Sequence, residues 1–507
     1  MIATVKSGVL QGVEACMVDV EVDINQGLPA FNIVGLPDVA VKESKERVRS
    51  AINNSNYRFP PRRITINLAP ADIRKEGPSF DLPIAMATLS ALGLVDSSRL
   101  NEYVIIGELS LDGTIRPVNG ILSMAIMARK QWKGKMIVPR ENVGEALLVK
   151  DLKIIAPSTL SEAVELVNSG NGETNIPPED KVLPSGYKLD FSDVKGQEHV
   201  KRALLIAAAG GHNVLMIGPP GSGKTMLARR IPSILPPMNL EEAMEVTKIY
   251  SVAGLLDKKS SLIKERPFRS PHHSISSAGL IGGGSYPRPG EVSLSHNGVL
   301  FLDELPEFRR DIIELLRQPL EDGKVTIARA LISITYPADF MLIGALNPCP
   351  CGYYTDPVKS CTCNSIQITN YLRKISGPLL DRFDIHIEVP RLDTNQIFSS
   401  PSEEKSETMR EKVIKARQIQ YKRFVNKSIF NNGQMDTQDV SNYCRINEEI
   451  RKILKHAMDR LGLSARAYYR ILKLSMTIAD IAGKDNISLE DVAEAIQYRS
   501  GGIKFWN

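Results

Sequence analysis

Residues 213–225, NVLMIGPPGSGKT, place a short apolar strand directly before a glycine-rich turn that opens a helix. In such a turn, glycines let successive backbone N–H groups point into one concavity, and the helix N-terminus adds a partial positive charge. Both features favour phosphate oxygens. The stretch therefore predicts a phosphate-binding loop on a strand-turn-helix unit, which is typical of a doubly wound parallel sheet.

The whole loop is a candidate ATP site. Lys224 would add a mobile positive charge to the phosphates, and the hydroxyl of Thr225 would serve as a ligand for Mg2+. The candidate nucleotide-binding residues are Gly218, Pro219, Pro220, Gly221, Ser222, Gly223, Lys224 and Thr225.

Two further apolar strands carry polar residues at their carboxyl ends, where ligands bind in parallel sheets. The run GVLFL ends in Asp303 and Glu304, and the run FMLIGAL ends in Asn347. We expect Asp303 to hold Mg2+, Glu304 to polarise the attacking water and Asn347 to orient that water. Without the phosphate-binding loop, the two acids would be read as a solvated pair and Asn347 as a turn residue.

Two arginines are candidates for contact with the nucleotide phosphates. Arg382 precedes an apolar strand and is expected to reach the γ-phosphate from a neighbouring subunit; the alternative is a salt bridge within the domain, to Asp381 or Asp384. Arg466, at a helix start, is the candidate second nucleotide sensor, with Arg470 as the competitor.

Four segments together resemble the ComM/YifB family of magnesium-chelatase-like AAA+ ATPases. The resemblance implies a ring, expected to be hexameric, with ATP bound between subunits. It also implies DNA as partner, because characterised members are linked to DNA uptake and recombination and drive branch migration. The segments are GPPGSGKT (218–225), NGVLFLDELPEF (297–308), ALNPCPCGYY (345–354) and SGPLLDRFDIHIEVP (376–390).

The N-terminal region separately resembles the proteolytic domain of Lon, through KEGPS at 75–79 and the run at 107–130. Ser79 matches the nucleophile of that family, but Leu122 occupies the position of its catalytic lysine. A serine hydroxyl without a base is a weak nucleophile, and nothing in the sequence indicates that Lys75 faces it. We therefore predict no protease activity and a role for Ser79 as a helix N-cap.

Composition and periodicity divide the chain into four parts. Residues 1–168 alternate strands and helices as an α+β, Lon-like domain, and the Gly- and Pro-rich residues 169–188 have the composition of a linker. Residues 189–392 form the predicted doubly wound α/β ATPase domain, and 393–507 a helical lid.

The net charge and the hydrophobic runs bear on the partners and the cellular location of the protein. The net charge of +5, from 63 basic and 58 acidic residues, permits a polyanionic partner without requiring one. The N-terminus has no signal-peptide pattern, and the longest uncharged run, 203–223, contains polar and proline residues unsuited to a membrane helix. We expect a cytoplasmic protein without a membrane partner.

Four of the 6 cysteines are bunched in a C-x-C, nine-residue, C-x-C pattern. Four thiolates at this spacing are a candidate tetrahedral Zn2+ site. Free cysteines in a loop and a redox-sensitive pair are the alternatives. The four are Cys349, Cys351, Cys361 and Cys363, whereas Cys16 and Cys444 are expected in the core.

Two basic segments are candidates for contact with single-stranded or branched DNA. The acid-free loop 266–290 carries Arg266, Arg269 and Arg288, and an intersubunit packing loop is the alternative. The alternating pattern at 324–340 predicts a hairpin that folds back near Ala330, with Lys324 and Arg329 as the residues to test.

The function expected from these observations is a ring-forming AAA+ ATPase that couples ATP hydrolysis to movement on DNA. A protein-remodelling or chelatase-like assembly ATPase is the first alternative. A DNA-binding scaffold that uses ATP only as an assembly switch is the second. The two DNA-binding hypotheses differ in one requirement: a motor needs repeated ATP turnover, whereas a switch needs only ATP binding.

Overall fold

The computed structural model describes residues 1–132, 134–170, 189–257, 261–284, 286–329, 332–354, 356–392, 404–425, 427 and 429–506. The chain divides into two compact units. Unit 1 consists of Met1–Leu183 and Ala243–Ile263, and unit 2 consists of Pro184–Glu242 and Lys264–Asn507.

Unit 1 contains a seven-stranded mixed sheet in the order β3-β4-β2-β1-β5-β8-β9 and a separate β6-β7 pair. Its strands are β1 Ile2–Gln11, β2 Glu14–Asn25, β3 Ala30–Val34, β4 Arg63–Ala69, β5 Val104–Ile105, β6 Glu108–Leu109, β7 Ile115–Arg116, β8 Lys135–Ile137 and β9 Lys153–Ile155. Its helices include α1 Val39–Asn54, α2 Asp81–Ala91, α3 Ser97–Leu100, α4 Ile121–Gln131, α5 Val143–Ala146 and α6 Leu160–Ser169.

The long β1-β2 hairpin organises the core of unit 1. Every residue of β1 pairs with β2, from Ile2 opposite Asp23 to Gln11 opposite Glu14. Alternate residues of β2 are buried, which matches the period of two of a strand with one face on a core. Helix α2 is buried along its entire length and has apolar residues all round, so it forms the centre of this core.

Unit 2 contains a five-stranded sheet in the order β11-β14-β17-β10-β18, with every neighbouring pair parallel. The remaining strands are β10 Val214–Ile217, β11 Phe268–Arg269, β12 Gly282–Gly283, β13 Arg288–Pro289, β14 Val299–Leu302, β15 Lys324–Arg329, β16 Ile332–Pro337, β17 Met341–Leu346 and β18 Ile385–Glu388.

The remaining helices precede, connect and follow these strands. They are α7 Glu198–Gly210, α8 Lys224–Ala228, α9 Ile231–Ile234, α10 Leu240–Ala253, α11 Ser277–Ile281, α12 Glu291–Leu294, α13 Arg310–Glu314, α14 Arg317–Asp322, α15 Ser365–Leu372, α16 Gly377–Leu380, α17 Ser406–Arg423, α18 Thr437–Tyr443, α19 Glu448–Leu461, α20 Ala465–Ile481 and α21 Leu489–Trp506.

The α/β class, the parallel sheet and the helical C-terminus predicted from the sequence are confirmed. Buried side chains of β10, β14, β17 and β18 share one core with α7 and with apolar residues of α17 to α21. Of the predicted boundary segments, residues 171–188 of the linker and residues 393–403 lie outside the described residues. The boundaries at 168 and 392 therefore stay predictions.

One segment lies elsewhere than the sequence indicates. Residues 243–263, placed by sequence in the ATPase domain, belong to unit 1. The hydroxyl of Ser251 in α10 accepts a hydrogen bond from Gly120 N at 2.8 Å and donates one to the Glu145 carboxylate, which also accepts from Leu122 N at 2.6 Å. Burial raises the pKa of Glu145, and these donors partly offset that effect.

Within the described part of the chain, no helix combines the length and apolar character needed to cross a membrane.

A buried polar network joins β18 to the C-terminal helices of unit 2. Asp384 accepts from Asn213 N at 3.1 Å and pairs with Arg470 of α20, while His212 lies 3.6 Å from it. Two positions further on, the Nε2 atom of His386 lies 3.2 Å from Arg499 of α21. Burial, with the nearby guanidinium adding to it, lowers the pKa of His386 from 6.5 to about 3.

The neutral His386 predicts acid sensitivity of unit 2. An unfolded histidine takes up a proton as the pH falls through 6.5, but native His386 does so only near pH 3, so acid favours the unfolded chain. Between pH 7.5 and 5.5 this one proton is expected to remove about 1.4 kcal/mol of stability. Asp384 adds no change in this range, because its lowered pKa affects stability only below its ordinary value of 3.8.

Urea unfolding at both pH values, followed by circular dichroism, measures this loss. His386→Gln is expected to lose less stability than the wild type over the interval, and the exposed His456→Gln is the matched control. Equal losses in the wild type and in His386→Gln would contradict the assignment.

Candidate nucleotide-binding and catalytic site

The phosphate-binding loop connects β10 to α8, as the sequence predicts. Gly221 and Gly223 have φ angles of 76° and 88°, a left-handed conformation that favours glycine. A Cβ atom on Gly218 would collide with the carbonyl oxygen of Val389. The backbone path therefore requires glycine at these positions. In loops of this kind, the amides of the loop and of the first helical turn bind phosphate oxygens.

Lys224 and Thr225 connect this loop to the neighbouring strand ends. The Lys224 ammonium donates to the carbonyls of Gly218 at 2.7 Å and Pro219 at 3.0 Å and to Asn347 Oδ1 at 3.2 Å. The Thr225 hydroxyl donates to Asp303 Oδ2 at 2.6 Å. A hydroxyl and a carboxylate side by side are the oxygen ligands that Mg2+ prefers, so these residues fit the metal.

Burial lowers the pKa of Lys224 to about 8, and Asp303 and Glu304 partly offset the effect. Lys224 is therefore still mostly charged at neutral pH.

Glu304 follows Asp303 in a left-handed conformation, with φ of 52°. Its N–H donates to Asp303 Oδ1 at 3.0 Å, and its side chain is 56% exposed. Glu304 thus adjoins Asp303 in the chain, and its carboxylate is open to solvent.

His273 is a residue near the site that the sequence analysis did not single out. Its Nδ1 atom lies 3.6 Å from Glu304 Oε2, and its ring packs edge-on against Phe308 at 6.3 Å between centroids. It follows β11, which pairs in parallel with β14, the strand that ends two residues before Glu304. The histidine pair in the basic loop was visible in the sequence, but its approach to Glu304 depends on a strand order that no local pattern encodes.

Arg382 is buried within its own subunit. Its Nη1 donates to the Pro378 carbonyl at 2.6 Å and its Nη2 pairs with Glu321, leaving the side chain 6% exposed. The expected intradomain alternatives, Asp381 or Asp384, are wrong: they pair with Arg499 and Arg470 instead. Delivery of Arg382 to a neighbouring subunit would require exchange of the Glu321 contact.

Arg466 and Arg470 lie one turn apart on α20. Arg466 is exposed, and no ion pair of its side chain is found among the residues that the structure describes. Arg470 is engaged by Asp384. Of the two sensor candidates, Arg466 is thus the one that remains accessible to a nucleotide.

The residues that match the Lon nucleophile and base lie in unit 1. Ser79 lies inside the short helix Pro78–Phe80 and makes no capping hydrogen bond, so the predicted N-cap role is wrong. Lys75 is fully buried and donates to the Pro70 carbonyl, and Leu122 is buried in α4. The hydrogen bond found for the Lys75 ammonium is thus to the main-chain carbonyl oxygen of Pro70.

The four clustered cysteines converge, and their ligand atoms all lie within 4.8 Å of one another. Sulfur–sulfur distances are 3.3 Å for Cys349–Cys351, 3.6 Å for Cys349–Cys361 and 3.5 Å for Cys351–Cys361. A tetrahedron with Zn–S bonds of about 2.3 Å has edges of about 3.8 Å. The cluster therefore has the size of a metal site.

Two of the five basic DNA candidates are held within the fold. Arg266 donates to the carbonyls of Pro236 and Asn297 and pairs with Glu242, so its expected accessibility to DNA is wrong. Arg269 forms two hydrogen bonds of 2.6 Å with Glu291. Both guanidinium groups stabilise the loop rather than face solvent freely.

The other three, Arg288, Lys324 and Arg329, are exposed. They lie on two hairpins, β12-β13 and β15-β16, and the second pairs Arg329 with Ile332 as the alternating pattern predicts. The predicted turn around Ala330 lies outside the described residues.

These two hairpins contact each other. The Tyr336 hydroxyl donates to the Pro287 carbonyl at 2.6 Å, and an Arg329 nitrogen lies 3.5 Å from the position of a Cβ on Gly283. The two basic segments therefore form one surface, which we call the paired-hairpin surface: residues 282–284, 286–290, 324–329 and 332–337.

Comparison with known proteins places this site in a family. Family profiles described as Magnesium chelatase, subunit ChlI; Subunit ChlI of Mg-chelatase; and Magnesium chelatase, subunit ChlI C-terminal match residues 190–397, 20–142 and 403–499. Lon protease 2 of Bacillus subtilis is 33% identical over 203 residues, 34% of this chain and 35% of its own. That partial match supports the Lon-like part of the resemblance.

Two full-length relatives are more similar. Competence protein ComM of Haemophilus influenzae is 45% identical and covers 98% of this chain and 97% of its own length. The uncharacterized protein YifB of Escherichia coli is 44% identical over 96% of this chain and 95% of its own. With its phosphate-binding loop, its strand-end acids and its Lon-like N-terminal domain, the chain belongs to the ComM/YifB family of magnesium-chelatase-like AAA+ ATPases.

Proposed function

We propose that this ATPase is a ring-forming motor, expected to be a homohexamer, that uses ATP hydrolysis to remodel single-stranded or branched DNA. The observation that carries the proposal is the paired-hairpin surface, where Arg288, Lys324 and Arg329 are each exposed and Arg329 lies close to Gly283 of the other hairpin. A relative named as a competence protein supports a role in natural transformation. We also propose a cytoplasmic location, where both ATP and DNA are available.

ATP and Mg2+ together would present an electrophilic γ-phosphoryl group at the loop. Backbone amides and the Lys224 ammonium would bind its oxygens, and Thr225 and Asp303 would hold the metal. Glu304, exposed and next to Asp303, would accept a proton from the attacking water, and Asn347 would orient that water. Arg382 and Arg466 would neutralise charge on the phosphates, Arg382 from the adjacent subunit.

The paired-hairpin surface suits a phosphate backbone for an electrostatic reason. Its three exposed cations belong to segments that come before β14 and β17 in the chain, and the opposite, carboxyl ends of these two strands carry Asp303, Glu304 and Asn347. Such cations would contact phosphates without reading sequence, as a motor on DNA requires. Changes at the strand ends during ATP turnover could then move the surface.

A protein-remodelling or chelatase-like assembly ATPase is the second candidate. The match to profiles of a magnesium-chelatase subunit favours it, because that subunit's family shares the ATPase fold. In this case the paired-hairpin surface would contact a protein, and DNA would not stimulate ATP turnover.

The cysteine cluster is proposed to hold one structural Zn2+. Four thiolates at tetrahedral spacing leave no open ligand position, which is the arrangement of structural rather than catalytic zinc. Free cysteines and a redox pair are the outcomes that metal analysis would reveal instead.

Glu304→Gln is expected to lower ATP turnover by at least about 100-fold, because the amide cannot accept the water proton. The affinity of Glu304→Gln for ATP, measured by equilibrium titration, should stay within about threefold of the wild type. Lys224→Ala should instead weaken ATP binding by about 10-fold or more, because the loss of one hydrogen bond from a charged group costs roughly that much free energy. A Glu304→Gln chain that still hydrolyses ATP would remove Glu304 from its assigned role.

The DNA proposal is tested by migration of a synthetic four-way junction. The triple change of Arg288, Lys324 and Arg329 to Ala is expected to abolish migration and to lower the salt dependence of DNA binding by roughly one unit per lost phosphate contact. ATP turnover without DNA should persist. The matched control changes three exposed lysines on the C-terminal helices to Ala: Lys415, Lys452 and Lys455.

Two results would contradict the motor. If Glu304→Gln moved junctions as well as the wild type, ATP would act only as an assembly switch. If the wild type hydrolysed ATP but neither moved junctions nor responded to DNA, the protein-remodelling candidate would replace the motor.

Metal analysis of the purified chain is expected to give about one zinc per chain. The Cys361→Ser, Cys363→Ser double variant should lose the metal and unfold at a lower temperature, because two thiolate ligands are removed. Cys16→Ser, outside the cluster, should keep its zinc. A wild-type chain prepared under reducing conditions that holds no zinc in the presence of the free metal would contradict the assignment.

A further inference from the structure

The cysteine cluster is connected to the phosphate-binding loop by a short stretch of chain. Asn347 follows β17, Cys349 and Cys351 come next, and Gly352 closes the turn with its N–H donating to the Cys349 carbonyl at 3.0 Å. Two of the four thiols thus lie between two residues that face the nucleotide site.

The first contact with the nucleotide site is polar. Asn347 Oδ1 accepts from the Lys224 ammonium at 3.2 Å. This hydrogen bond joins the end of β17 to the residue that would bind the phosphates. Its geometry depends on where the chain after Asn347 is held.

The second contact is a close approach of backbone to side chain. Gly352 has a φ of +85°, and a Cβ at this position would lie 2.6 Å from Cδ and 2.7 Å from Cγ of Pro220. Pro220 lies within the phosphate-binding loop itself. The turn that carries Cys351 therefore packs against the loop with no room for a single methyl group.

The other two thiols come from a different part of the chain. Cys361 and Cys363 precede α15, whose start is fixed by reciprocal hydrogen bonds between Asn364 and Gln367 at 2.8 and 3.0 Å. A metal bound by all four thiolates would cross-link the turn at 349–352 to this capped helix. Without the metal, the nine-residue segment between Cys351 and Cys361 would allow the two pairs of cysteines to move apart.

We propose that the cysteine cluster, with its metal bound, is a brace that holds the phosphate-binding loop and Asn347 in the geometry that binds nucleotide. Removal of the metal would free the turn at 349–352 and weaken ATP binding through the contacts of Asn347 and Gly352 with the loop. The proposal rests on the zinc assignment above but does not depend on DNA remodelling.

Nucleotide affinity of the full chain, measured without DNA by titration with a fluorescent ATP analogue, tests the brace. Gly352→Ala is expected to weaken binding by about 10-fold or more, because the methyl group must displace Pro220. Adding Pro220→Ala to that variant should recover part of the loss, since the ring atoms are then absent. Gly462→Ala, at a φ of +62° with nothing within 4 Å, controls for the strain of a left-handed alanine.

The role of the metal is tested by the Cys361→Ser, Cys363→Ser variant and by wild-type chain treated with a zinc chelator. Both are expected to lose zinc and to bind the analogue at least about fivefold more weakly, while Cys16→Ser binds normally. Zinc added back to the chelated wild type should restore affinity, which irreversible unfolding would not allow.

Three results would overturn the brace. They are wild-type affinity in the zinc-free chain, wild-type affinity in Gly352→Ala, and a chain that binds no zinc at all. Because DNA is absent from these measurements, a failure of junction migration would leave them unaffected, and the two proposals fail independently.

Discussion

The parallel sheet of unit 2 is the constraint on which the nucleotide site depends. Strand β10 lies between β17 and β18, and β17 in turn pairs with β14. The carboxyl ends of β10, β14 and β17 therefore meet at one edge, where the hydrogen bonds from Thr225 to Asp303 and from Lys224 to Asn347 join residues 78 and 123 positions apart. Each bond exists only because the strands are adjacent.

The same edge receives segments that are not themselves part of the site. His273 reaches Glu304 from the end of β11, and the cysteine turn reaches Pro220 from the end of β17. The hairpins of the paired-hairpin surface instead precede the amino ends of β14 and β17 in the chain. Two segments that follow the carboxyl ends of parallel strands thus reach the nucleotide site directly.

Buried charge connects the sheet to the C-terminal helices of unit 2. The buried Asp384, directly before β18, pairs with Arg470 of α20, and the partly exposed Asp381, three residues earlier, pairs with Arg499 of α21. A buried carboxylate without such a partner would be costly, so the helices and the strand must dock together. Arg382, between the two acids, takes the separate partner Glu321, and release from that contact would be part of any delivery to a neighbouring subunit.

The sequence by itself determined the class of unit 2, the phosphate-binding loop and the four-cysteine spacing, because these are local patterns of apolar period, glycine position and ligand type. It also predicted the two strands that flank Ala330, because apolar and polar residues alternate along β15. Only the tertiary structure decided the partners of Arg266, Arg269 and Arg382, the place of residues 243–263 in unit 1, and the contacts of His273 and Gly352. The physical reason is that ion pairs and close packing join residues far apart in the chain, and their choice follows strand order and burial rather than any local sequence pattern.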